Sequence, residues 1–229
     1  MYEVPIDLRW LESEIVAYEQ QPIEKGKILF YGHSMLTRWG HPTWGYRRLD
    51  EDIRMRDGSL ACVNHGFGTA TSEELLYYYP RMVRPWEPRA LVIMSFGNDG
   101  MYGMSVDQTL SNVFKICMWA RADFPGIKIF LTEPHPKPKL ADNKLPPQWH
   151  TDMHRNRYYC SEIDSYARNH EDTEVIRLWN RPEFFVSRDA VGDFQKVRED
   201  IFSDDKVHLN QAGYNIFGPI IREALGELL

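Results

Sequence analysis

The chain has 229 residues, 43% of them hydrophobic, with a formal net charge of −6. That size suits one large α/β domain as well as two small ones, the apolar content is enough for a sizeable core, and the acidic balance excludes a broad electrostatic footprint for nucleic acid. Basic clusters such as "RNRYY" are short and mixed with acids, so they read as solvated surface. No stretch approaches the roughly 20 apolar residues of a membrane span, and no membrane insertion is expected. Acids in "MYEVPIDLRWLESEI" stand where a signal peptide needs an apolar run, which makes a soluble cytoplasmic protein the expectation. The three cysteines, Cys62, Cys117 and Cys160, form no CxxC pair and sit in apolar segments. They are expected as buried free thiols.

In chain order, residues 1–26 read as an N-terminal extension packing on a single domain that takes in the whole chain, 1–229. The first strand is "KILFY" (27–31). "LACVN" (60–64) follows, and "TSEELLYYYPRMV" places Leu75, Leu76, Tyr79, Met82 and Val83 on one helical face. Thr71 and Glu74 offer that helix a capping box, and Pro80 is expected to end or kink it. "ALVIMS" (90–95) precedes a helix capped by Ser105 and Gln108, with Val106, Leu110, Val113, Phe114, Cys117 and Met118 at helical spacing. "IKIFLT" (127–132) leads into "EPHPKPKLADNKLPPQW", whose five prolines predict an extended, stiff loop. A long polar helix over about 149–170, "EVIRL" (174–178) and a last helix from Asn210 toward Leu229, kinked at Pro219, complete the pattern. Five continuous apolar strands separated by helices predict a three-layer α/β/α fold with a flavodoxin-like parallel sheet and right-handed crossovers.

In such a fold ligands meet the carboxyl ends of the strands. The residues that follow each strand therefore carry the functional information. They are "GHS" with Ser34, "NHGFGTAT", "FGNDG" with Asn98, and "TEPHPKP"; "SDDKVHLN", with Asp205 and His208, lies just before the last helix. Nucleophile, oxyanion donor, base and orienter are all expected at one rim, which is the inventory of an acyl-transfer site. His65, His135, His150 and His154 match no compact ligand spacing, so neither a metal nor another cofactor is expected. GxSxG, a Walker loop and GxGxxG after the first strand are all missing from the sequence.

Four motifs in order resemble the SGNH hydrolases of the GDSL esterase/lipase superfamily, particularly small acetylhydrolase-like members, from about residue 27 to 215. Gly32-His33-Ser34-Met35 takes the place of Gly-Asp-Ser, "VNHGFGTAT" with Gly66 that of the second block, and "FGNDG" that of Gly-x-Asn-Asp. Asp205-Lys206-Val207-His208 matches Asp-x-x-His without change. Two departures stand out: His33 replaces an acid, and Phe96 replaces a glycine, with Gly97 displaced by one. The resemblance implies a serine esterase with Ser34 as nucleophile, His208 as base and Asp205 as its orienter. It assigns the oxyanion donors to the Ser34 amide, the Gly66 amide and the Asn98 side chain. Alternation turns His33 away from the Ser34 hydroxyl, so it reads as a tuning neighbour rather than the base.

Trp39 and Trp44, with His33 and Met35 beside the nucleophile, are the candidate substrate contacts. The expected substrate is a small acyl ester, acetyl first, of a soluble alcohol or carbohydrate. Lysophospholipid or thioester hydrolysis is the second reading, and an inactive binding module with the same fold is the rival from another class. A homo-oligomer is left open.

Overall fold

The protein is described, in a computed structural model, over residues 8–138, 151–186 and 197–229. Strand alternation divides its core into two layers. Ile28 and Phe30 of β1 (Ile28–Gly32) point to one face of the sheet, and Leu29 and Tyr31 point to the other. The same parity runs through β3 (Ala90–Met94) and β4 (Lys128–Thr132): Val92 and Phe130 join Phe30, while Leu91, Ile93 and Leu131 join Tyr31. β2 (Cys62–Gly66) and β5 (Thr173–Ile176) form the edges, and every pairing is parallel in the order β2-β1-β3-β4-β5. Because both faces are covered, β1 and β3 are fully buried, β4 is buried after Lys128, and none shows polar alternation.

The first face is covered by α2 (Ser34–Arg38), α3 (Leu49–Asp52) and α7 (Gln211–Leu225), which bring Leu36, Leu49, Tyr214 and Phe217 into one cluster. The opposite face takes α4 (Ser72–Met82), α5 (Val106–Asp123) and α6 (Thr151–Arg168) with Leu75, Val113 and Ile163. The result is the three-layer α/β/α sandwich that the strand and helix pattern predicts.

Boundaries shift by a residue or two. The second strand starts at Cys62 because the Ala61 carbonyl, just ahead of it, accepts the Ile28 N–H at 3.0 Å. The capping boxes at Thr71/Glu74 and Ser105/Gln108 form as expected. Pro80 does not end its helix, since α4 runs on to Met82, and α7 continues through Pro219 to Leu225. Sequence pattern also gave no sign of α1 (Glu12–Glu19), whose single buried residue is Ile15. That helix is held by polar contacts, Arg81 pairing with both Glu12 and Glu19 at 2.7 Å. Cys62 and Cys117 are buried, Cys160 is half-buried, and all three are free thiols. The proline-rich loop lies outside the described residues from 139 onward.

The sheet is closest-packed where β1 meets β3. A Cβ on Gly32 would stand 2.2 Å from the Met94 carbonyl oxygen, whereas one on Gly68 would meet nothing nearer than the Glu14 carboxylate at 3.6 Å. Gly32→Ala should therefore lower the melting temperature by about 5 °C or more, the cost of overpacking against backbone, and Gly68→Ala by less than about 2 °C. Thermal unfolding followed by circular dichroism distinguishes the two.

Candidate active site

Three segments converge at the carboxyl ends of β1 and β3. Ser34 opens α2 immediately after β1, so its hydroxyl is fixed by a helix start rather than by a free loop. From 174 residues away, His208 Nε2 reaches Ser34 Oγ at 2.8 Å. The Nδ1–H of the same ring donates to Asp205 Oδ2, also at 2.8 Å. With Nδ1 protonated, Nε2 presents a lone pair to the serine hydroxyl, which is the tautomer a general base needs.

The 203–208 turn is rigid for reasons readable in its sequence. Asp205 Oδ1 accepts the backbone N–H groups of Val207 and His208, each at 2.9 Å, and the Ser203 N–H donates to the His208 carbonyl at 2.8 Å. Lys206 takes the left-handed conformation at φ 56°, and Asn210 caps α7 through Gly213 N–H. Asp204, the neighbouring acid, is exposed.

Burial raises the cost of the Asp205 charge, yet the two backbone donors and the imidazole hold its carboxyl well below the usual carboxylate range. His208 is pulled below its ordinary value mainly by burial. Asp205 opposes that shift, and the positive charges of Arg38 and Lys137 add to it. Arg38, one turn along α2 from Ser34, donates from Nη1 to the same Asp205 Oδ2 at 3.0 Å. Its guanidinium lies 4.9 Å from the centre of the half-exposed Trp44 ring.

Asn98 follows β3 and donates from Nδ2 to the Ala70 carbonyl at 2.9 Å, which ties the 96–98 segment to the loop ahead of α4. In that loop Thr69 is exposed at φ 54°, a left-handed conformation rare for a β-branched residue. Gly97 has φ 139°, which favours glycine. No acceptor among the described residues engages the Ser34 N–H, the first amide of α2.

A family model of GDSL-like lipases and acylhydrolases matches residues 30–216. The chain belongs to that family. It is accordingly an ester-hydrolysing enzyme. No curated protein sequence matches it. Its fold is similar to that of a proposed acylhydrolase from Bacteroides fragilis, with 18% identity, all of both chains covered and a TM-score of 0.69. A GDSL-like lipase from Bacteroides thetaiotaomicron gives 19% identity, 97% and 98% coverage and a TM-score of 0.64. An acetyl xylan esterase gives 17%, 87% and 99%, and 0.63.

Within this GDSL-like enzyme, four of the expected site residues have other duties. Gly66 N–H donates to Asn64 Oδ1 at 3.0 Å. Its lack of a side chain serves packing, since a Cβ would lie 2.4 Å from both Leu36 Cβ and Thr37 N. Trp39 is 1% exposed, donates to Asp52 Oδ2 at 2.8 Å and stacks on Tyr214. Met35 is likewise core, with its carbonyl accepting the Tyr214 hydroxyl. Met35, within α2, and Trp39, just past its end, both point into the core, so nearness to Ser34 does not decide where they point. His33 is buried with both ring nitrogens engaged inside the protein. Trp44 alone of the expected contacts remains open at the rim.

His135 has a place that its sequence did not signal. It lies just past β4, buried, and its Nε2–H donates to the Val207 carbonyl at 3.3 Å. His33, Phe96, Thr132, Glu133 and His135 line a small pocket beneath the strand ends. His150 lies outside the described residues, and among these no group of three or more His, Cys, Asp or Glu could hold a metal ion. No helix among them is long and apolar enough to cross a membrane.

Neutral His208 is the form able to accept a proton, so kcat/KM should fall on the acid side with a midpoint below about 6.5, the ordinary histidine value. Removing the Arg38 cation favours the imidazolium. The acid limb of Arg38→Gln should accordingly move to higher pH, and an unmoved limb in a pH–rate series would show that Arg38 does not act on His208.

Proposed function

We propose that the protein is a serine esterase acting through Ser34, His208 and Asp205 and a covalent acyl-enzyme. The observation that carries this reading is the continuous hydrogen-bonded series from Ser34 Oγ through the His208 ring to Asp205, with both links at 2.8 Å. A serine hydroxyl is a weak nucleophile until a base takes its proton, and His208 can do so while Asp205 stabilises the resulting imidazolium. His208 then returns the proton to the leaving alkoxide, and water attacks the acyl-enzyme by the same route.

The developing oxyanion is met in this reading by the Ser34 N–H and by Asn98. The side-chain amide of Asn98 has two hydrogens, and giving one to the Ala70 carbonyl fixes the direction of the other. Such preorganised donors lower the barrier most when their supporting groups are already satisfied.

For substrate, the reading is a small acyl group, acetyl first, on a soluble alcohol or carbohydrate. Trp44 supports it: an exposed indole packed with the Arg38 guanidinium and the His41 ring suits contact with a sugar ring or similar leaving group. One structural neighbour is itself an acetyl xylan esterase, which is in keeping with this choice.

Ser34→Ala should reduce p-nitrophenyl acetate hydrolysis to background and abolish labelling by a fluorophosphonate probe, with an unchanged melting curve. Asp205→Asn should cost about 10⁴ in kcat by favouring the wrong tautomer of His208. Undiminished turnover by Ser34→Ala would remove the nucleophile and the reading with it.

A further inference from the structure

His33 poses a question that the proton path through His208 does not answer, because a polar ring is buried beside the nucleophile yet stands outside that path. Met35 N–H donates to His33 Nδ1 at 3.4 Å, so Nδ1 carries the lone pair. The proton must then be on Nε2, which lies 3.2 Å from the Phe96 carbonyl and donates to it. One ring thus caps α2, the helix whose first residue is Ser34, and grips the segment that carries Asn98.

That segment needs holding. Between Phe96 and Asn98 the only link is Gly97, at φ 139°, a residue that loses the most freedom when fixed. On the far side, Asn98 is tied to Ala70. On the near side, the Phe96 ring stacks on Tyr159 at 4.1 Å and the Phe96 carbonyl takes the His33 proton. The bond joins His33 to the Phe96 main chain, a carbonyl that any residue at 96 would supply. An aspartate at 33 could cap α2 but has no proton to give to Phe96.

We propose that His33 is a positioning residue that sets the distance between the Ser34 hydroxyl and the Asn98 amide by bridging the α2 cap and the Phe96 carbonyl. The proposal rests on the reading of Asn98 as an oxyanion donor. The bridge needs a neutral ring, and burial, with the Lys137 and His208 charges, pushes the His33 pKa down to about 3, the Phe96 carbonyl alone opposing. His135, the other histidine at this pocket, is held neutral in the same way and donates elsewhere, to Val207.

The test is a double-mutant cycle on purified enzyme with p-nitrophenyl acetate. Asparagine at 33 keeps an acceptor for Met35 N–H but is too short to reach Phe96. His33→Asn should lower kcat about tenfold with KM little changed. In an Asn98→Ala background, itself slower by about 10²–10³, the same change should cost about threefold or less, since there is no longer a donor to misplace. Equal losses in the two backgrounds would overturn the proposal and leave the oxyanion assignment standing. A wild-type rate for Asn98→Ala would remove that assignment and the proposal together. Should His33→Asn not fold, ¹⁵N NMR of the wild-type rings decides: His33 protonated on Nε2 and untitrated from about pH 5 to 9 supports the bridge. A proton on Nδ1, or a titration in that range, overturns it.

Discussion

The site depends on how closely β1 and β3 approach at their carboxyl ends. Gly32 lies against the Met94 carbonyl with no room for a side chain, and the His33 N–H donates to that same carbonyl at 3.3 Å. In the order β2-β1-β3-β4-β5 this pair is also where the connections diverge. The chain leaves β1 into α2 on one face and β3 toward α5 on the other, so the two loops part and leave a crevice between them. A larger residue at 32 would widen the separation that the hydrogen bonds of the site must span. Sheet geometry therefore comes first, and the chemistry is built on its outcome.

Ser34 and Asn98 could be placed from the sequence because each follows an apolar strand, and strand ends in a parallel sheet point one way; Asp205 and His208 stand just before the last helix, marked by their Asp-x-x-His spacing. The strands themselves were readable from unbroken apolar runs. What sequence could not separate was the use to which apolar or small residues near the mouth are put. Trp39 and Met35 stand closer to Ser34 in sequence than Trp44 does. Met35 lies within α2 and Trp39 just past its end, both covered by α7 from the far end of the chain, whereas Trp44 sits in an exposed turn beyond. Gly66 is a similar case. A glycine at a strand end suits either an amide donor or a tight contact, and only the position of Leu36 shows that packing is the reason. α1 was invisible because Ile15 is its one buried residue and polar contacts of Glu12, Glu14, Tyr18 and Glu19 complete its docking, with no apolar period to detect.

Around Ser34 the protein sets three histidines with different partners, and those partners decide what each ring can do. His208 Nδ1 faces a carboxylate, whereas the donor nitrogens of His33 and His135 face carbonyl oxygens. A carbonyl accepts a hydrogen bond but carries no charge to offset an imidazolium, and burial makes the charged ring costlier still. Lys137, whose positive charge bears on all three, pushes in the same direction. The two carbonyl-bound rings are therefore kept as neutral donors that brace the Phe96 and Val207 segments. Only the ring opposite Asp205 can take up a proton and be stabilised while holding it. The histidine next to Ser34 in "GHS" thus lacks the counter-charge that a base needs, which supports the proposed role of the ring that the chain delivers from 174 residues away.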